Sequence, residues 1–324
     1  MTGPAGPRRC AVLGSPIAHS LSPALHRAAY RELGLAGWRY DAVECDQHRL
    51  PALVAACGPE WAGLSLTMPL KQAVLPLLTD AEPLVSQVGA ANTLIFADGR
   101  RLGYNTDVGG MVAALAEAGT GGAGAARDDG AGGAGPARDG AGGAGPAQDG
   151  AAGTGAAQDR AAGRLSPALI LGGGSTAAAA LAALARLGVR EAVVAVRDPG
   201  RAEGLLATAA RLGMHVHCRA FGLVDLAGVA LLISAVPATA GDEVAGQLLA
   251  TPRPPGIVFD VSYDPWPSRL ADAARRRGAV LVSGLELLVH QAARQFELMT
   301  GRPAPLPVMH AAGQAELRRR GAGG

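Results

Sequence analysis

Apolar and polar positions along the chain fall into blocks that switch between a two-residue and a 3.6-residue period. "CAVLG" near the N-terminus is a short apolar run that reads as a strand, and "SPALHRAAYREL" behind it has helical spacing. Ser22 as N-cap and Pro23 as the first helical residue mark where that helix is expected to begin. "YDAVEC" predicts a second strand, 47–57 a short helix, "GLSLTM" a third strand and 70–78 another helix. "NTLIF" and "RLGY" flank "ADGR" as the arms of a hairpin, and a helix follows from Asp107 to Ala118. Further on, "PALIL", "EAVVAV", "MHVHC", "VALLISAV", "GIVFDVSY" and "AVLVSG" predict strands. Helices are expected after the first of these, near 200–212, through "LELLVHQAARQFELMTG" and over "PVMHAAGQAELRRR". Such alternation predicts an α/β fold of mainly parallel strands with helical crossovers.

One stretch breaks the pattern. Between 121 and 160, "GAGGAGPARD" and "GAGGAGPAQD" repeat with a ten-residue period marked by Asp129, Asp139, Asp149 and Asp159. Gly, Ala and Pro offer almost no side-chain area to set against ordering entropy. The expectation is a disordered surface insertion over about 119–164 that leaves the fold's wiring intact.

Composition narrows the classes. The 324 residues suffice for two domains, and with 3% aromatics the cores must be built from Ala, Val and Leu. A formal charge of +2 argues against a nucleic-acid partner, and the runs Arg275-Arg276-Arg277 and Arg318-Arg319-Arg320 read as solvated faces or tails. Cys10, Cys45, Cys57 and Cys218 lie far apart with no CxxC, which suits free thiols in a reducing compartment and no metal. No apolar h-region or membrane span is visible, so a cytoplasmic protein is expected. Lys71 is the one lysine among 29 Lys and Arg, and Asn92 and Asn105 are the only asparagines. A GC-rich genome depletes both residue types, which makes the survivors candidates for chemistry.

Gly172, Gly174 and Ala177 fit G-x-G-x-x-A between a strand and an Ala-rich helix. Glycines admit a pyrophosphate to the backbone, and the helix N-terminus donates N–H groups to it. The next strand ends in "VRDPGR": Arg197 and Arg201 suit the 2′-phosphate of NADP, while Asp198 keeps an NAD reading open. Ser20 and Ser22, at a helix start, form a candidate site for a small anion. His19 and His290 read as structural.

Taken together, "GSPIAHSLSPALH", "LTMPLK", "GAANTL", "NTD", "LGGGSTA", "VRDPGR", "DVSYDPWPS" and "GLELLVHQAARQFELMTG" resemble the shikimate dehydrogenases, NADP oxidoreductases of aromatic amino-acid biosynthesis. The resemblance spans nearly the whole chain outside 119–164. It implies an N-terminal three-layer αβα substrate domain over 1–107, completed by 285–324, and a Rossmann-like NADP domain over 108–284. By resemblance Lys71 is catalytic and Asp107 its partner, and Ser20 and Ser22 hold the substrate carboxylate. Thr67, Asn92, Thr106, Asp107 and Gln291 surround the rest of the substrate, and Tyr263 lies at its nicotinamide edge. Gly172, Gly174, Ser175, Arg197, Arg201, Val236 and Gly284 fall to the cofactor.

The chain departs from the family pattern at four places. Val196 and Asp198 flank Arg197 where the family has Asn-Arg-Thr. Tyr104 replaces an Asp, Leu287 a frequent Met, and "AVPA" at 235–238 a more polar loop.

The implied reaction is reversible NADPH-dependent reduction of 3-dehydroshikimate to shikimate, on the pathway to chorismate, without metal. Proton delivery to the carbonyl needs a cation that can lose its proton, which Lys can do and Arg cannot. Three alternatives are a broad-specificity quinate/shikimate dehydrogenase, a non-catalytic shikimate sensor and a methylene-tetrahydrofolate dehydrogenase relative. Lys71 with Asp107 speaks against the second, and the paired serines with "NTD" against the third. The expected partner is a small-molecule substrate, with no nucleic acid or membrane, in a monomer or homodimer and with a lean to the homodimer.

Overall fold

In the computed structural model, residues 7–119 and 162–321 are described, apart from the side chain of Arg201. The repeat insertion lies outside the described residues, but its flanks are close: Arg164 Nη1 donates to Gly119 O at 2.9 Å.

Among the described residues the strands form two six-stranded sheets. The first contains β1 (Arg8–Gly14), β2 (Trp38–Glu44), β3 (Trp61–Leu66), β4 (Asp80–Ala81), β5 (Thr93–Ala97) and β6 (Arg100–Tyr104). Their order is β2-β1-β3-β5-β6-β4. β1 pairs parallel with β2 and β3, whereas β5 runs antiparallel to both β3 and β6. The hairpin predicted around "ADGR" thus reverses one strand of an otherwise parallel layer. The second sheet contains β7 (Ala168–Leu171), β8 (Glu191–Val196), β9 (His215–Ala220), β10 (Leu231–Ser234), β11 (Ile257–Asp260) and β12 (Val280–Ser283). It is parallel throughout, in the order β12-β11-β10-β7-β8-β9, which is the doubly wound dinucleotide-binding arrangement.

Both sheets are covered on both faces, and strand periodicity shows why. In β1, Cys10 and Val12 point to a core with Leu25, Tyr30 and Phe296, while Ala11 and Leu13 point to one with Leu50, Val54 and Leu70. In the second sheet, Ile170, Val194 and Ile233 pack on the helices Ser175–Arg186 and Glu203–Arg211. Leu169, Leu171 and Val258 pack on Asp242–Ala250 and Arg269–Arg276. Residues Ala177 to Leu184 are buried without interruption, so the small side chains let that helix sit close to its neighbours. The four cysteines are free thiols, and burial pushes Cys10 up to about 11.

Several sequence expectations change. The 70–78 helix is a short α-helix (Leu70–Ala73) followed by a 3-10 turn (Leu75–Leu77), with Pro76 inside the break. The helices Pro83–Val88, Asp242–Ala250 and Arg269–Arg276 have no counterpart in the sequence expectations. Ser22 is not the N-cap of the helix Ser22–Glu32; Leu21 holds that position without a side-chain cap, and Ser20 Oγ accepts the Ser22 N–H at 3.3 Å. The Arg275–Arg277 run is not wholly solvated: Arg277 Nη2 donates to Thr251 O at 2.5 Å, beside the end of the Asp242–Ala250 helix.

Two long helices, Thr106–Gly119 and Gly284–Thr300, join the sheets and pack on each other. They approach closely at Gly110, where a Cβ would stand 3.1 Å from both Gln291 N and Leu287 O. Those are backbone atoms and cannot rotate aside. Nearby, His290 pairs with Glu117 at 3.2 Å and His310 with Glu286 at 3.0 Å, tying both helices and the C-terminal one together. His290 therefore makes a structural contact between the two helices.

Gly110→Ala is expected to cost about 1–3 kcal/mol by overpacking this crossing, read by urea denaturation. A second expectation concerns pH. The hydrogen bond that His310 donates to the Glu286 carboxylate, reinforced by the charges of Glu286 and Glu117, raises His310 above its ordinary value. A raised histidine contributes stability below about pH 6.5 that is lost as pH rises through its folded pKa. The stability gap between the protein and His310→Gln is expected to narrow as pH rises above about 6.5. A gap independent of pH would contradict this.

Candidate active site

The topology gathers chemistry at one edge of each sheet. β1, β3 and β6 run in the same sense, so the segments behind their carboxyl ends converge: Ser20, then Thr67 and Lys71, then Thr106 and Asp107. β5 is reversed, which brings the residue before it, Asn92, to the same edge. In the second sheet the carboxyl ends deliver the glycine turn, Arg197, Val236, Tyr263 and Gly284. A cavity of about 280 Å³ lies between the edges and is lined by Ser20, Ser22, Thr67, Lys71, Asn92, Asp107, Tyr263, Gly284 and Gln291. Thr106 is not among the lining residues and stands one hydrogen bond behind Asn92.

At the centre, Lys71 Nζ donates to Asp107 Oδ2 at 2.7 Å, with the side chains 13% and 8% exposed. Asn92 Nδ2 donates to Asp107 Oδ1 at 2.8 Å and to Thr106 Oγ1 at 2.9 Å, and its Oδ1 accepts the Thr106 N–H at 2.8 Å. Gln291 Oε1 is 3.3 Å from Asn92 Nδ2. Asn105 acts elsewhere: its Oδ1 accepts the Val108 N–H at 3.4 Å and its Nδ2 donates to Ala90 O at 2.9 Å. It caps the helix that carries Asp107. Tyr104 serves through its backbone, its carbonyl accepting the Asn92 N–H at 3.1 Å.

A second tier appears in none of the sequence-derived sets. Tyr40 OH donates to Ser65 Oγ at 2.6 Å and Ser65 Oγ to Gln295 Oε1 at 2.8 Å. Gln295 Nε2 donates to Thr93 Oγ1 at 2.9 Å, and Thr93 Oγ1 to Asn92 Oδ1 at 2.9 Å. His26 stacks on Tyr40 at 4.0 Å, and burial lowers it to about 3, so it is neutral. The sequence signal available was the Gln291 and Gln295 pair, four apart on the buried stripe of one helix. Burial raises the Tyr263 phenol, which stays protonated at neutral pH. Its loop is braced from behind by Ser268 Oγ on Asp260, whose own pKa burial raises.

A larger cleft of about 740 Å³ shares Thr67, Lys71 and Thr176 with the cavity. Gly173, Gly174, Ser175 and Ala235 line it as well. Gly172 has φ +112°, and a Cβ there would stand 2.8 Å from Ala235 O, so the turn requires glycine at this position. Gly174 caps the helix Ser175–Arg186, and a Cβ there would meet nothing within 4 Å. The helix N-terminus thus opens onto room for a phosphate, and a dinucleotide fits the residues present. Thr176, absent from the expected set, sits where the two spaces meet. Arg197 is exposed directly beyond β8, beside this turn. Arg201 lies in the Pro199–Arg201 turn, its side chain outside the described residues. Asp198 Oδ1 accepts the Gly200 N–H at 3.0 Å.

A parallel doubly wound sheet with an open glycine turn, facing a polar cavity with a Lys–Asp pair, defines a two-domain protein of the dinucleotide-binding class. Comparison with known proteins narrows this. The family model for the shikimate dehydrogenase substrate binding domain matches residues 12–94, and that for the shikimate 5'-dehydrogenase C-terminal domain matches 284–312. An NADP(+) shikimate dehydrogenase of Symbiobacterium thermophilum is 34% identical over 96% of this chain and 96% of its own. The crystal structure of Mycobacterium tuberculosis shikimate dehydrogenase is 36% identical with a TM-score of 0.74, over 95% of this chain and all of that one. A Thermus thermophilus shikimate 5-dehydrogenase, solved with NADP(H) and shikimate, is 28% identical with a TM-score of 0.69, covering 95% and 99%. The chain belongs to the shikimate dehydrogenase family. Among the described residues no helix is long and apolar enough to cross a membrane.

Gln295→Leu is expected to leave Ser65, Thr93 and the Asn92 carbonyl short of a partner and to cost about 1–3 kcal/mol in a denaturation experiment. An unchanged midpoint would show that the second tier does not brace Asn92.

Proposed function

We propose that this protein catalyses the reversible NADPH-dependent reduction of 3-dehydroshikimate to shikimate, in the synthesis of chorismate and the aromatic amino acids. The observation that carries the reading is the Lys71–Asp107 pair at 2.7 Å, at the junction of a ring-sized cavity and the cleft of the glycine turn. Family membership supports the same reading.

Lys71 moves the proton. As the carbonyl becomes an alkoxide its ammonium gives up a proton, and in the oxidative direction the amine takes one. Asp107 orients it, and Asn92 holds the other carboxylate oxygen, so the two ionisable groups act as one coupled unit. Ser20 and Ser22 take the substrate carboxylate. Thr67, Asn92 and Gln291 surround the ring hydroxyls, Thr106 steadies Asn92 from behind, and Tyr263 closes the side toward the cleft. The bound nicotinamide supplies the hydride.

Gly174 and Ser175 hold the pyrophosphate at the helix N-terminus, and Arg197 with Arg201 takes the 2′-phosphate. Val236 and Gly284 border the nicotinamide end. Asp198 Oδ1 accepts the Gly200 N–H, and the two arginines on either side of Asp198 favour NADP over NAD. The substrate domain is taken as 1–107 completed by 285–324, and the cofactor domain as 108–284. A cytoplasmic homodimer is the form we infer.

The test is initial-rate oxidation of shikimate with NADP, run beside quinate and NAD. Shikimate with NADP is expected to give the highest kcat/KM, and a preference for quinate would overturn the assignment. In the same assay Lys71→Arg is expected to lose about two to four orders of magnitude in kcat with little change in substrate affinity. Near-normal turnover would remove Lys71 from proton transfer.

A further inference from the structure

The C-terminal helix (Leu306–Gly321) ends in the Arg318-Arg319-Arg320 run, for which the sequence predicts solvated side chains. Arg319 fits that expectation, with its side chain 71% exposed, but Arg320 turns inward and is 23% exposed. Its Nη1 donates to His19 O at 2.7 Å and its Nη2 to Ser20 O at 3.3 Å. Glu316, one turn back, accepts from Arg320 Nε at 3.0 Å and so aims the guanidinium. Asp264 completes the cluster, 3.8 Å from Arg320 Nη1 and 3.2 Å from His19 Nδ1.

The two carbonyls belong to the short loop that carries Ser20 into the cavity. Within that loop Ser20 N–H donates to Ile17 O at 3.0 Å, and Ser20 Oγ accepts the Ser22 N–H at 3.3 Å. A planar guanidinium that spans successive carbonyls fixes the two peptide units that flank Ser20, which an ammonium on a flexible stem does not. Glu316 and Asp264 both stand beside this charge and offset the field that Arg320 casts into the cavity.

We propose that Arg320 is a positioning residue for the substrate carboxylate: it fixes the two peptide units that flank Ser20 so that the hydroxyls of Ser20 and Ser22 face the anion. The inference rests on the proposed function. Arg320 does not reach the reacting carbonyl, so its loss falls on substrate KM and leaves proton and hydride transfer in place.

The experiment is steady-state oxidation by wild type, Arg320→Met, Arg320→Lys, Ser20→Ala and the Arg320→Met/Ser20→Ala double variant. The substrates are shikimate and the same ring triol without its carboxylate. Arg320→Met is expected to raise KM for shikimate about 10-fold, with kcat within about 2-fold and KM for NADP unchanged. Arg320→Lys is expected to resemble Arg320→Met, because it keeps the charge and loses the fork. The carboxylate-free triol is expected to react equally well with wild type and Arg320→Met, and the double variant to be no worse than Ser20→Ala.

An unchanged KM in Arg320→Met, an equal loss on both substrates, or multiplied losses in the double variant would overturn the inference. The functional reading fails separately: a wild type that does not oxidise shikimate sinks both, whereas an active wild type with an indifferent Arg320→Met sinks only this one.

Discussion

The carboxylate of Asp107 accepts from two donors, Asn92 through one oxygen and Lys71 through the other. Few other contacts at the site are as constrained. Both charged side chains are largely withdrawn from water, and an isolated charge in that position would be costly. Together they are neutral, and the Asn92 amide takes up the lone pair that Lys71 leaves. The arrangement keeps the ammonium aimed without drawing it into the interior. It survives only if Asn92 is held, and Asn92 is held by Thr106, Thr93 and the Tyr104 carbonyl.

That requirement explains much of the fold around it. Asn92 precedes β5, the reversed strand, and Asp107 opens the helix that leaves β6. An all-parallel layer would carry the start of β5 to the far edge and separate the two. The helix Gly284–Thr300 then closes the arrangement from the other side, bringing Gln291 and Gln295 to the same asparagine. It can come close because Gly110 offers no side chain at the crossing. The same two helices connect the sheets, so the geometry of the pair is tied to the relative placement of the substrate cavity and the glycine-turn cleft.

Much of this was legible in the sequence alone. Strands and long helices showed in the apolar period, and the lone lysine with two asparagines marked the centre of the site. Asn105 shows the limit of that reasoning, since it caps a helix and stands outside the cavity lining. Pro83–Val88 spans fewer than two turns, which leaves almost no apolar period to read. Ser65 and Tyr40 sit inside strand patterns where a polar atom looks incidental, and only the fold shows that they face each other. Arg320 was hidden in a basic run because a run of like charge does not reveal which member turns inward.

The most direct test of the coupled pair is a double-variant cycle on Lys71→Met and Asp107→Asn, read as kcat for shikimate oxidation with NADP. If the two residues act as a unit, the double variant is expected to be no slower than the worse single variant to within about 3-fold. Losses that multiply would contradict the account and make the Lys71–Asp107 contact a bystander to proton transfer.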